Sequence, residues 1–169
     1  TTDSYALPQG ILQEGFDIGF YEDGPVQEVY TVSHGVRSFP FNQYRWVVRK
    51  SIDGGTTFAP FHEFFATLGS RDALNPKMHI DSEGNIYLTG TAQTDVADLN
   101  QYTWVTEKYT RATDSWAIVD RVATDGVESD ESRPYAISEG VDGTIFVAGV
   151  KNINREWIVR ASNDGGVTW

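Results

Sequence analysis

Cysteine is absent from all 169 residues, which excludes disulfide bridges and thiolate metal sites together. That absence leaves the compartment open, since a cysteine-free chain suits a secreted bacterial protein and a cytosolic one alike. Long apolar runs are missing too: no stretch approaches the ~20 residues that a membrane-spanning helix needs. The first ten residues, TTDSYALPQG, have neither the basic nor the apolar region of a signal peptide, so the sequence reads as a mature chain or as an excised segment. Positive charge is scarce, with 13 Lys and Arg against 24 Asp and Glu and a formal net charge of -11. Nucleic acid is therefore not expected as a partner, because neutralising phosphates takes clustered Lys and Arg. A sustained 3.6-residue apolar period is also lacking, and no helix of consequence is expected.

What the chain has instead is aromatic residues, at 13%, and 16 glycines, a combination that favours short strands joined by tight turns. The length is enough for one domain of ordinary size to bury a core unaided. The segments RKSIDGGTTF, Arg49 to Phe58, and RASNDGGVTW, Arg160 to Trp169, share the pattern S-x-D-G-G-x-T-aromatic. Two glycines supply backbone conformations closed to other residues, and the Asp side chain can bond backbone N–H groups within the turn. A hairpin turn is predicted at each, with Phe58 or Trp169 opening the return strand as a large apolar surface.

The pattern belongs to a longer repeat. Trp46 to Phe58, Trp104 to Trp116 and Trp157 to Trp169 align without a gap, with starts spaced by 58 and 53 residues. The middle copy, WVTEKYTRATDSW, keeps both tryptophans but has lost the Ser, Asp and glycines, so packing more than turn chemistry is expected to fix the unit. A second repeated segment precedes each block: GFDIGFYEDG, PKMHIDSEG and PYAISEGVDG lead into VYTVS, IYLTG and IFVAG. Each unit thus reads as strand A, acidic-glycine turn, strand B, variable loop, strand C from the tryptophan, Asp-turn and strand D, an antiparallel four-stranded meander. The expected organisation is residues 1-14 as a candidate closing strand containing Ile11 and Leu12, then units at 15-75, 76-133 and 134-169. The last unit ends at Trp169 before its strand D.

These Asp-turns resemble the Asp-box, or BNR repeat, of sialidases and related β-propellers, as does NPKMHIDSEGNIYLTG, which is similar to the inner-strand segment of such blades. The resemblance implies an all-β fold, a β-propeller of four-stranded antiparallel blades, with about three blade units in this chain. Three units fall short of the roughly 4 to 8 blades of a closed ring. Further blades of the same chain, or a second copy, would close it. The Asp-box is specific for the blade and not for an activity, because its family includes sialidases, other glycan-active enzymes, lectin-like modules and sorting receptors.

In such a meander the A–B and C–D turns share one rim and the B–C and D–A loops the other. The turns are short and alike, so Ser51, Asp53, Gly54, Gly55 and Phe58, with Ser162, Asp164, Gly165, Gly166 and Trp169, are read as structural, and Asp81 and Asp142 likewise. A calcium loop needs several converging oxygen ligands, and each Asp-turn offers one carboxylate; no metal and no cofactor is expected. Function is placed in the loops Ser33–Tyr44, Thr91–Thr103, Lys151–Glu156, Ala66–Asn75 and Arg121–Arg133. The first of these, SHGVRSFPFNQY, gathers His34, Arg37, Phe39, Phe41 and Tyr44, a mixture suited to stacking on sugar faces and bonding hydroxyls. The bland alternative is that Phe39 and Phe41 anchor a long loop and His34 is solvated. His62 and His79 fall on predicted strands as packed or edge residues.

Sialidase chemistry, as the resemblance implies it, takes three arginines on a carboxylate, a Tyr–Glu nucleophile and an Asp general acid/base. The first arginine lies in an R-I-P motif, and at the equivalent places stand Glu14-Gly15, Asn75-Pro76 and Arg133-Pro134. Arg133 alone supplies a comparable cation. Asp72 beside Arg71 is a candidate acid, although such exposed pairs are more often solvated couples. The run DGVESDESR, Asp125 to Arg133, reads as a calcium or basic-partner site or as a solvated loop. The ligand-binding candidates are therefore His34, Arg37, Phe39, Tyr44, Arg71, Asp72 and Arg133. The expectation is a non-catalytic glycan-binding or scaffolding Asp-box propeller module, secreted or in the cell envelope by resemblance, without a membrane span. Two alternatives stand beside it: part of a sialidase-like glycoside hydrolase or polysaccharide lyase, which requires Arg37, Arg71 and Arg133 to converge, and a self-assembling repeat array without a ligand site.

Overall fold

A computed structural model of the chain describes residues 10–37, 43–66, 72–93, 102–122, 131–151 and 156–169. The described residues form three antiparallel sheets. The first has the order β1-β2-β3-β4, from Gly10–Asp23, Val26–Arg37, Gln43–Ser51 and Ala59–Phe64. The second has the order β5-β6-β7-β8, from Ala73–Ile80, Ile86–Ala92, Thr103–Thr110 and Ser115–Val122. The third has the order β9-β10-β11, from Arg133–Glu139, Ile145–Lys151 and Glu156–Ser162. The one helical turn among the described residues is a 3-10 turn at Arg111–Thr113. Among the described residues no helix is long and apolar enough to cross a membrane.

One correction follows from strand lengths. The stretch Ser33–Tyr44, expected as a loop, is largely paired backbone: β2 runs on to Arg37 and β3 starts at Gln43, with His34 opposite Trp46 and Val36 opposite Tyr44. These apolar and aromatic cross-strand pairs extend the ladder. Residues 10–14 form the start of β1, where Gly10 pairs with Arg37 and Glu14 with His34, and residues 1–9 of the candidate closing strand lie outside the described residues.

The chain divides into two compact units, Thr1–Pro76 and Lys77–Trp169, with the boundary inside β5. Within the first unit, Tyr30, Val32, Trp46 and Val48 are fully buried on one face of the sheet. Trp46 stacks on Phe64 with ring centroids 4.4 Å apart, and its indole N–H donates to the Leu74 carbonyl at 3.2 Å, which satisfies the one polar atom of a buried ring. Within the second unit the β9–β11 sheet packs on the β5–β8 sheet through Trp104, Val122 and Val147, flanked by Ile137, Ile158 and Trp169. Burying a residue such as Val147 is worth roughly 1.5–3 kcal/mol. Asp120 of β8 holds Arg160 of β11 with two hydrogen bonds, 3.0 and 2.6 Å, and this fork-on-carboxylate contact fixes the lateral position of the two sheets.

Candidate functional site

The two Asp-turns are closed by their own side chains. The Ser51 hydroxyl, buried, donates to Asp53 Oδ1 at 2.7 Å and accepts the Gly55 amide at 2.9 Å. Asp53 Oδ1 also accepts the amides of Thr56 and Thr57, and its Oδ2 accepts the Thr57 hydroxyl at 2.7 Å. Gly54 and Gly55 both have positive φ, 69° and 84°, a region that costs other residues strain. The second copy repeats the pattern: Ser162 donates to Asp164, the Gly166 amide donates to Ser162, and Thr168 donates to Asp164 through both amide and hydroxyl. Both carboxyls are held down to about 2, Asp53 chiefly by the Thr57 amide and Asp164 chiefly by the Thr168 hydroxyl. Every oxygen of these carboxylates already serves the turn.

The middle copy closes differently. Tyr109, at the serine position, donates its hydroxyl to Asp114 at 2.9 Å, and Asp114 adopts the left-handed conformation at φ 48° that ends the 3-10 turn. A substitute turn chemistry is thus present where the sequence pointed to packing more than to the turn. Asp81 accepts the amides of Glu83 and Asn85 and the Asn85 side-chain amide. Asp142 accepts the Thr144 amide, which lowers its carboxyl pKa.

The other end of the first sheet gathers His34, Tyr44 and Asp72. Asp72 accepts the Tyr44 backbone amide at 3.0 Å, and the His34 and Tyr44 rings meet edge to face at 5.0 Å. Phe16 of β1 lies 4.6 Å from the imidazole on a tilted plane. The Asn75 amide points at His34 Nδ1 from 3.4 Å, so Nδ1 is the acceptor and Nε2–H faces the Glu14 carboxylate at 3.6 Å. Asn75 reaches this position with φ 52°, a left-handed conformation that Asn tolerates better than most residues. His34 is only 6% exposed, which corrects the solvated alternative; it is the packed centre around which Tyr44, Asp72, Glu14 and Phe16 are arranged. Burial lowers its pKa against the opposing pull of Glu14 and Asp72, so the ring is neutral at pH 7.

No protein-family model matches the chain, and no curated protein does. The site rests on its own geometry.

Of the remaining candidates, Arg133 opens β9 and forms an ion pair with Glu131, whose hydrogen bond raises the guanidinium pKa further. It is a committed cation. Phe39, Phe41, Arg71 and the acidic run from Asp125 to Asp130 lie outside the described residues, as does the side chain of Arg37, and with them the three-arginine test. His62 lies in β4 opposite Val48, and His79 in β5 meets Glu139 of β9 at 3.2 Å. Sequence reasoning missed Glu14 and Phe16 as members of the cluster. Glu14 stands opposite His34 in the β1–β2 ladder, whereas Phe16 falls at the register shift between Gly15 and Asp17, which no alternation in the sequence announces.

Proposed function

We propose that the chain is a non-catalytic binding module of the Asp-box propeller type, each sheet being one blade, and that the end of the first sheet at Tyr44 and Asp72 takes a neutral glycan. The observation that carries the reading is the placing of a half-buried Tyr44 and the Asp72 and Glu14 carboxylates around the His34 ring. An aromatic face beside carboxylate oxygens matches the two halves of a sugar, an apolar C–H face and a set of hydroxyl donors. The local carboxylates, on a chain of net charge -11, disfavour sialic or uronic acids by like-charge repulsion. The most regular acidic residues, Asp53 and Asp164, are engaged in their own turns, which supports scaffolding over acid catalysis for them. An extracellular or envelope setting follows from the Asp-box likeness and belongs to the same proposal.

The test is a glycan array that carries neutral and sialylated oligosaccharides, followed by titration calorimetry on the strongest neutral hit. Tyr44→Ala and Asp72→Asn are each expected to weaken binding about tenfold or more, the loss of one hydrogen bond to a charged group or one stacking face being worth about 1.5–3 kcal/mol. Asn at position 72 retains an acceptor for the Tyr44 amide, so the fold is preserved while the charge is lost. A blank array, binding confined to sialylated glycans, or variants that bind like the wild type would sink the proposal.

A further inference from the structure

The segment that leads out of the first unit is tied down at Asn75, and the tie differs in kind from those beside it. Asn75 stands directly before Pro76, where the proline ring crowds its predecessor and favours extended backbone, yet its φ is 52°. A left-handed residue at that place is held against its preference. What faces its amide is His34 Nδ1, 3.4 Å away. The neighbouring ties use acceptors that take up no proton near neutral pH: the Leu74 carbonyl accepts the Trp46 indole N–H at 3.2 Å, and the Asp72 carboxylate accepts the Tyr44 amide at 3.0 Å. An imidazole nitrogen is different, because it accepts only while it carries no proton.

The surroundings of the ring decide what a proton does there. His34 is buried, with the rings of Phe16 of β1 and Tyr44 of β3 against it at 4.6 and 5.0 Å. Among the described residues the charged groups that act on it are the Glu14 carboxylate of β1, 3.6 Å from Nε2, and the Asp72 carboxylate ahead of β5. Burial outweighs their pull and sets the ring below its ordinary 6.5, so the proton goes on only as pH falls past that value. Once it is on, Glu14 and Asp72 retain the charged ring within the cluster, while Nδ1–H stands donor against donor to the Asn75 amide. That contact cannot persist.

We infer that His34 and Asn75 form an acid-released latch at the start of β5: the neutral ring holds the Asn75 amide, and a proton on Nδ1 sets it free, letting the backbone before Pro76 relax towards an extended conformation. The Trp46–Leu74 and Tyr44–Asp72 bonds outlast the change, so release is confined to Asn75 and Pro76, where the first unit ends. The latch needs no ligand, so its failure leaves the glycan reading standing, and the reverse holds as well.

The experiment is an NMR titration of the 169-residue chain from pH 7.5 to pH 4. Long-range proton–nitrogen correlations of the imidazole show which nitrogen carries the proton, and amide exchange, corrected for its intrinsic pH dependence, measures the protection of Asn75. At pH 7.5 the ring is expected as the Nε2–H tautomer with the Asn75 amide protected. Protection should then fall about tenfold, the loss of one hydrogen bond, with the same midpoint as the imidazole shifts. The Trp46 indole N–H is the reference next door and should keep its protection through that midpoint. In His34→Asn the side-chain oxygen stands near the place of Nδ1 and does not titrate, so Asn75 should hold one level across the range; if that variant does not fold, the wild-type comparison still decides. An Nδ1–H tautomer at pH 7.5 overturns the inference, as does a ring that stays neutral until the sheet unfolds, or Asn75 protection that ignores the imidazole midpoint. Simultaneous loss at Asn75 and the Trp46 indole overturns it too, because acid would then be loosening the sheet and not one latch.

Discussion

Ser51 is buried under its turn, and its hydroxyl both donates to Asp53 and accepts the Gly55 amide. Ser51→Ala removes both functions and leaves that amide without its acceptor, so it should destabilise the first unit by about 1–2 kcal/mol, read as a lower urea midpoint with unchanged slope. Asp53 and Asp164 add a pH signature. Their folded pKa of about 2 lies below the ordinary 3.8, so the unfolded chain binds more protons between the two values, and stability falls as pH drops from about 4 to about 2. Urea melts at pH 5, 3 and 2 should show that loss, and the double variant Asp53→Asn with Asp164→Asn should flatten it; an unchanged slope would refute the assignment. This residue-scale chemistry was legible in the sequence because every partner lies within a few positions of the Asp. Asp114 was not legible, since its partner Tyr109 replaced the expected Ser and the 3-10 turn replaced two glycines. His34 was misplaced for a different reason: its burial depends on Phe16 and Tyr44 from neighbouring strands, which no local pattern announces.

At the scale of the strand, Gly149 in β10 is a position of very close approach. A Cβ there would stand 2.2 Å from the Arg133 carbonyl and 2.8 Å from both Pro134 Cα and Trp104 Cζ3. Two of those atoms are backbone and cannot rotate away, so Gly149→Ala must shift β9 or lift the sheet from Trp104. The expected cost is about 1–3 kcal/mol or more, measured as a fall in thermal midpoint. Gly15 in β1 is the control, because nothing lies within 4 Å of a Cβ built on it, and Gly15→Ala should leave the midpoint nearly unmoved. If both alanines behave alike, close approach is not what Gly149 provides. Strands A to D of the first two units were readable from β-forming runs and acidic-glycine turns. The reach of β2 to Arg37 was not, since the Gly35 and Ser33 positions read as loop until cross-strand pairing with β3 is seen. Trp157 makes the same point from the other side: the repeat equates it with Trp46 and Trp104, yet exposure is decided by what packs against the sheet, and that information lies outside the strand.

Taken whole, the chain is strongly acidic, with a net charge of -11 and a sequence pI of about 4.5. Two copies brought together at neutral pH repel each other, whereas the exposed rings of Trp157 and Phe20 are apolar surface. The two contributions respond oppositely to salt. Raising ionic strength from 0.01 M to 0.15 M shortens the screening length from about 30 Å to about 8 Å, which weakens the long-range repulsion while leaving the apolar contact essentially intact. Any self-association is therefore expected to strengthen with added sodium chloride, and to strengthen again as pH falls from 7 towards the isoelectric point of about 4.5. Sedimentation equilibrium at the two salt concentrations measures this directly as a lower dissociation constant at the higher one. Association that weakened with salt would mean that cross-copy ion pairs, not apolar contact, hold the copies together, because only attraction between opposite charges is lost on screening.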